Sequence, residues 1–196
     1  MKLVLFDEGR PGVLTGRGVV DASSLVGAAR GQEAMVALIT NYDRLREGLE
    51  RLAQGTATPL SSLTLLAPLP NPGKILCMGG NYREFGAREP APMWGFVKST
   101  DAVIGPGGTV ILPPVDANIF HHEAELVLVF GREGKDIPAA EAMDYVFGYT
   151  CGVDVSARMP PTPGGNAPRP ANALPLSPAK SHPTFAPMGP CIVTKD

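Results

Sequence analysis

Proline placement restricts the folding of this chain more than any other feature. The 196 residues carry 21 prolines and 23 glycines. Each proline lacks a backbone donor and biases the residue before it away from helix. Ten of the prolines lie between Pro160 and Pro190, so the bias marks a region and not the whole chain. Residues 159–179 accordingly read as a mobile surface loop. Pro59, Pro68, Pro70 and Pro72 make residues 59–73 an extended linker. That linker divides the chain into a small N-terminal α+β domain, residues 1–67, and a larger domain, residues 68–196.

A chain of this length buries roughly 70% of its unfolded surface, enough for a core. Hydrophobic residues at 44% exclude wholesale disorder. Seventeen Lys+Arg against 19 Asp+Glu leave a net charge of −2 with no basic block. That balance argues against nucleic acid and against an anionic membrane surface as partners. The N-terminal apolar run is cut off by Asp7 and Glu8, too early for a signal peptide. No run long enough to span a membrane occurs. Cys77, Cys151 and Cys191 are far apart and form no C-x-x-C, which fits buried thiols in a reducing compartment. A cytoplasmic protein is the expectation.

Hydrophobic periodicity predicts the elements. Leu3 to Phe6 and Val13 to Asp21 read as strands around the turn Gly9-Arg10-Pro11-Gly12. Residues 32–53 read as one amphipathic helix, with Met35, Leu38, Ile39, Tyr42, Leu45, Leu49 and Leu52 on one stripe. Beyond the linker, strands are predicted at Lys74–Met78, Met93–Lys98, Thr109–Leu112, Leu126–Phe130, Thr150–Val155 and Cys191–Thr194. Leu126–Phe130 is apolar on both faces and reads as a central strand. Pro138–Phe147 reads as a helix with proline in its first turn.

The chemistry concentrates in Phe120-His121-His122-Glu123-Ala124-Glu125-Leu126. Residues two apart in a strand share a face, so Glu123 and Glu125 point the same way, about 6.6 Å apart. They stand where the strand turns apolar. Two carboxylates there resist desolvation and need protons, cationic side chains or a metal ion. Asp154 lies at the end of the next predicted strand, Thr150–Val155, which follows the predicted helical crossover. Three carboxylates from two strand ends suit Mg²⁺ or Mn²⁺. His121 shares the Glu face, although a packing role fits it as well. Zinc would want nitrogen and sulfur donors, and no such cluster is visible.

Several stretches occur in an order that resembles the fumarylacetoacetate hydrolase family. They are Gly79-Gly80-Asn81-Tyr82, Phe96-Val97-Lys98, Ala102-Val103-Ile104-Gly105-Pro106-Gly107, His122-Glu123-Ala124-Glu125-Leu126, Asp154-Val155-Ser156-Ala157-Arg158, and Lys180-Ser181 with Thr184 to Pro190. The resemblance covers about residues 68–196. It implies an α+β, mostly β fold: a mixed β-sandwich or rolled sheet behind a small leading domain. It implies Mg²⁺ or Mn²⁺ held by Glu123, Glu125 and Asp154. Lys180 would stabilise developing enolate charge, Arg158 would hold the substrate, and Asn81, Tyr82 and Lys98 would contact it, although Lys98 reads more readily as a partly buried lysine paired with an acid. The substrates implied are small β-diketo or 2-oxo acids, and the assembly implied is a homodimer. Family members continue past the position matching Asp196 with further closing strands. The resemblance therefore implies an incomplete catalytic domain with an open apolar edge, poorly soluble or dependent on a partner chain, and weakly active at best alone.

Three positions depart from the family pattern. Phe85 stands where the family places a general-base histidine, and phenylalanine takes no proton. Met159-Pro160-Pro161 follow Arg158 where Asp-Leu-Gln is usual, and His182-Pro183 replace Phe-Asp. Glu84 and Glu89 are nearby carboxylates that stand in for the base or simply face solvent. A metal-dependent hydrolase cleaving C–C bonds in the breakdown of aromatic compounds is expected. Isomerase, decarboxylase or hydratase chemistry, or a catalytically silent binding protein, are the alternatives that Phe85 motivates.

Overall fold

The computed structural model describes residues 1–82, 94–160 and 175–196. The N-terminal part opens with strands β1 (Lys2–Phe6), β2 (Arg10–Thr15) and β3 (Gly18–Asp21), an antiparallel meander. The turn after β1 needs Gly9. Its φ is +83°, and a Cβ there would lie 2.7 Å from the backbone nitrogen of Gly31.

Two helices follow, α1 (Gly31–Thr40) and α2 (Tyr42–Leu52), where the periodicity predicts one. Asn41 makes the break. Its side-chain amide donates to the carbonyl of Ala37 at 2.9 Å, and its φ and ψ of −108° and 17° are not helical. An asparagine amide competes with the helix ladder in this way. The apolar stripe survives the break. Met35, Leu38 and Leu49 are fully buried against Leu3 and Leu5 of β1, Val13 of β2 and Ile192 of the last strand.

Strands β4 (Leu65–Leu66), β5 (Ile75–Gly79), β6 (Trp94–Lys98), β7 (Val103–Ile104), β8 (Ile119–Phe130), β9 (Val146–Arg158) and β10 (Ala186–Thr194) complete the fold. The main sheet has eight strands in the order β3-β2-β1-β10-β9-β8, with β4 beside β1 and β7 beside β10. β5 and β6 form a separate two-stranded sheet. The architecture is thus mostly β with two N-terminal helices. Residues 1–67 and 68–196 share the main sheet, because Leu3 of β1 pairs with Ile192 of β10.

Four further predicted elements differ. Val13–Asp21 is not one strand but a hairpin, β2 turning into β3 between Thr15 and Gly18. Residues 139–145 form a 3-10 helix with no buried residue instead of an α-helix, because the segment offers no stripe to the core. Thr109–Leu112 is not a strand. Two glycines precede it and two prolines follow it, and Ile111 is held by its N–H donating to Thr184 Oγ1 at 2.8 Å. β8 is not central: it ends the sheet, and among the described residues β9 is its only strand partner. Its outer face leaves Leu126, Leu128 and Phe130 exposed by 57%, 41% and 57%. The thiols differ too: Cys191 is buried, Cys77 half-buried and Cys151 exposed. Most of the expected loop 159–179 (residues 161–174) lies outside the described residues, as do Glu84, Phe85 and Glu89. Among the described residues no helix is long and apolar enough to cross a membrane.

Candidate active site

The site is built on the β8–β9 pairing. Glu123 stands directly opposite Asp154, Glu125 opposite Gly152 and His121 opposite Ser156. Opposed residues in an antiparallel pair share a face, with Cβ atoms about 4.5–5.5 Å apart. Glu123, Glu125 and Asp154 therefore project from one face, and His121 and Ser156 extend that face by one step. From His121 onward strand β8 alternates: its odd positions turn inward, and Ala124 and Leu126 turn out.

The β5–β6 sheet covers this face. Ile75 pairs with Lys98, and Cys77 with Phe96, so these four side chains share the side turned to the carboxylates. Lys98 is only 2% exposed, and its Nζ lies 2.6 Å from Asp154 Oδ1 and 3.3 Å from the Val155 carbonyl. Burial pushes the Lys98 ammonium below the usual lysine range, against the pull of Asp154. Burial likewise pushes the Cys77 thiol up to about 11, with the negative charge of Asp154 adding to the effect.

Lys180 arrives from a third direction. Residues 175–177 run beside β6: the Val97 N–H donates to the Pro175 carbonyl at 2.9 Å, and the Ser177 N–H to the Val97 carbonyl at 3.0 Å. A single 3-10 turn, Pro178–Lys180, then aims Lys180 at the carboxylates. Its Nζ lies 2.8 Å from Glu123 Oε2 and 2.5 Å from Asp154 Oδ2. Burial alone would depress this ammonium, but the hydrogen bonds to Asp154 and Glu123 outweigh it and raise the pKa. Phe96 lies beneath, 5.1 Å from the ammonium to the ring centroid. Glu125 has its carboxyl pKa raised, first by burial and then by the negative charges of Asp154 and Glu123.

The other predicted residues are less close. Tyr82 is exposed, and its hydroxyl accepts a long 3.5 Å bond from the N–H of Leu126, at the free edge of β8. Asn81 is exposed two residues past the end of β5. Arg158 is exposed at the end of β9, on the Asp154 face but roughly 13 Å further along at strand spacing. Sequence reading did not single out Ser156, Cys77 or Phe96 as part of this face. Ser156 Oγ is buried with no hydrogen-bond partner among the described residues and sits two residues from Asp154. The i, i+2 rule that links Glu123 to Glu125 would have found it. Two clefts elsewhere, about 410 and 360 Å³, are lined mainly by Gly105 to Gly108 and their neighbours. Neither includes a carboxylate or a lysine.

The donor set fits a hard divalent ion in its chemistry: three carboxylates on one sheet face, one of them carrying like-charge strain. As they stand, no three His, Cys, Asp or Glu side chains among the described residues converge into a metal cage. The cation between Glu123 and Asp154 is the Lys180 ammonium. Three carboxylates facing two lysines leave one net negative charge, which a divalent ion would turn positive. Such a site suits a small anionic substrate held by a hard cation.

Comparison with known proteins places that site in a family. The chain belongs to the fumarylacetoacetate hydrolase family: the signature described as fumarylacetoacetate (FAA) hydrolase C-terminal matches residues 74–196. Protein Rv2993c of Mycobacterium tuberculosis is 44% identical over 144 residues, covering 71% of this chain and 50% of that one. The mitochondrial oxaloacetate tautomerase Fahd2a of Rattus norvegicus is 36% identical over 148 residues, covering 74% and 44%. The chain thus spans about half the length of the curated relatives it matches. Among solved structures, maleylpyruvate hydrolase from Sphingobium sp. SYK-6, in complex with manganese(II) ion and pyruvate, is similar with a TM-score of 0.80. That match is 32% identical and covers 100% of this chain and 68% of that one.

Proposed function

We propose that this chain carries the cation- and substrate-binding part of an enzyme for small 2-oxo or β-diketo acids, a C–C bond hydrolase working through an enolate. The carrying observation is the shared face of Glu123, Glu125 and Asp154 with Lys180 bonded into it. The manganese(II) and pyruvate of the maleylpyruvate hydrolase complex support the reading by analogy. Glu123, Glu125 and Asp154 would hold Mg²⁺ or Mn²⁺. The ion would supply a Lewis acid for the 2-oxo oxygen. Lys98 fixes one oxygen of Asp154 and so the direction of that carboxylate. Lys180 offers an ammonium to enolate charge. Arg158 gives the far carboxylate of a longer substrate a cation, while Asn81 and Tyr82 border the entrance. Phe96, under the Lys180 ammonium, keeps water from the face. The same reading takes a second copy of the chain as assembly partner.

A tautomerase or isomerase reading is favoured by one observation, Phe85 at the position of the family's general base. Keto–enol exchange needs no activated water. Incubation with Mn²⁺ and an acylpyruvate, with pyruvate release followed by coupled reduction, tests the hydrolase reading. Pyruvate release dependent on Glu125 supports it. Loss of enol absorbance from oxaloacetate with no acylpyruvate cleavage replaces it with tautomerisation, and neither signal sinks both.

A further inference from the structure

We infer that Lys180 is an internal competitor for the cation site: its ammonium holds the place between Glu123 and Asp154, and an entering divalent ion must displace it. The inference rests on reading the β8–β9 carboxylates as cation donors. Lys180 Nζ bridges Glu123 Oε2 at 2.8 Å and Asp154 Oδ2 at 2.5 Å. Lys98 takes the other Asp154 oxygen at 2.6 Å. Both oxygens of Asp154 are thus committed to ammonium groups. A divalent ion on the same oxygens would stand within a few ångströms of Lys180 in a half-buried setting, where like charges repel strongly.

The two lysines differ in freedom. Lys98 is anchored in a strand, 2% exposed, with a second bond to the Val155 carbonyl. Lys180 is 17% exposed on a single 3-10 turn, and a four-carbon stem lets its head withdraw. Glu125 has room for an ion, because no hydrogen bond or ion pair to a described residue engages its carboxylate. Lys98 therefore stays as the fixed counter-charge, and Lys180 is the one that moves. Loading with the ion and release of the Lys180 ammonium are one event, so the ammonium becomes available for other work only in the loaded protein.

The prediction is antagonism. Removing the Lys180 charge should tighten divalent-ion binding, whereas a lysine that merely supports the carboxylates would weaken it when lost. Calorimetric titration of the whole chain with MnCl₂ at fixed pH and salt, after circular dichroism confirms folding, reads this directly. K180M should bind Mn²⁺ about tenfold more tightly than the wild type or better. K180R, which keeps the charge, should stay within about threefold of the wild type. Saturating Mn²⁺ should also raise the melting temperature of K180M more than that of the wild type, because Glu123 and Asp154 are left uncompensated in the ion-free variant. K180Q makes the same prediction if K180M does not fold. Equal or weaker Mn²⁺ binding by a folded K180M or K180Q, with wild-type binding intact, overturns the inference alone. No Mn²⁺ binding by any of the proteins overturns the cation-site reading and this inference with it.

Discussion

Asp154 is the residue on which the site turns, since two buried or half-buried ammonium groups depend on it. Removing it strands Lys98, which has almost no solvent contact. Asp154→Ala should therefore cost about 3–5 kcal/mol in urea unfolding. Asp154→Ala combined with Lys98→Met should recover most of that loss, because the stranded charge leaves with the lysine. Full additivity of the two substitutions would show that the pair is not coupled. Cys77 gives a pH test on the same face. Its thiol is raised to about 11, so at pH 8 only about one molecule in a thousand carries the thiolate that alkylates. Iodoacetamide labelling of Cys77 should rise about tenfold per pH unit up to that value, while exposed Cys151 labels readily at pH 8. Fast labelling of Cys77 at pH 8 in folded protein would contradict the burial described. The Glu123–Glu125–Asp154 face was legible in the sequence because alternation along a strand is a local rule. The commitments of Lys98 and Lys180 were not, since they join β6, β9 and a 3-10 turn far apart in the chain. A buried lysine paired with an acid was the leading sequence reading of Lys98, and the fold supplies the acid, Asp154.

At the level of elements, the paired helices bind the N-terminal strands to the rest of the sheet. Leu38 is fully buried among Leu3, Leu5 and Ile192 in that core. Leu38→Ala should cost about 2–5 kcal/mol by chemical denaturation. A loss under 1 kcal/mol would mean the helices are loosely attached. The stripe that buries Leu38 was readable from spacing alone. The break at Asn41 was not, because periodicity continues across it and only the amide bond to Ala37 reveals it. The edge position of β8 was unreadable for a different reason. An apolar run says that a strand wants cover on both faces, but strand order is set by pairings such as Leu3 of β1 with Ile192 of β10, 189 residues apart.

Across the whole molecule, one sheet carries both the helical core and the carboxylate face. β9 and β10 connect them: β10 pairs with β1 on one side and with β9 on the other. The site is therefore held by the same pairings that hold the N-terminal strands. The second sheet, β5–β6, meets the first through the Lys98–Asp154 pair, and just past β6 the Ser99 N–H donates to Ser181 Oγ, next to the Lys180 turn, at 3.0 Å. The central claim is that the β8–β9 face is a divalent-cation site, and Glu125 is the residue that isolates it. No hydrogen bond or ion pair to a described residue engages Glu125, and burial together with the charges of Asp154 and Glu123 disfavours its carboxylate more than Lys180 favours it. Glu125→Ala should thus leave the ion-free fold as stable as the wild type, or slightly more so. The most direct measurement is calorimetric titration of the wild type and Glu125→Ala with Mn²⁺. The account predicts one ion per wild-type chain and binding weakened at least a hundredfold in a folded Glu125→Ala protein, whereas equal binding by both would contradict it.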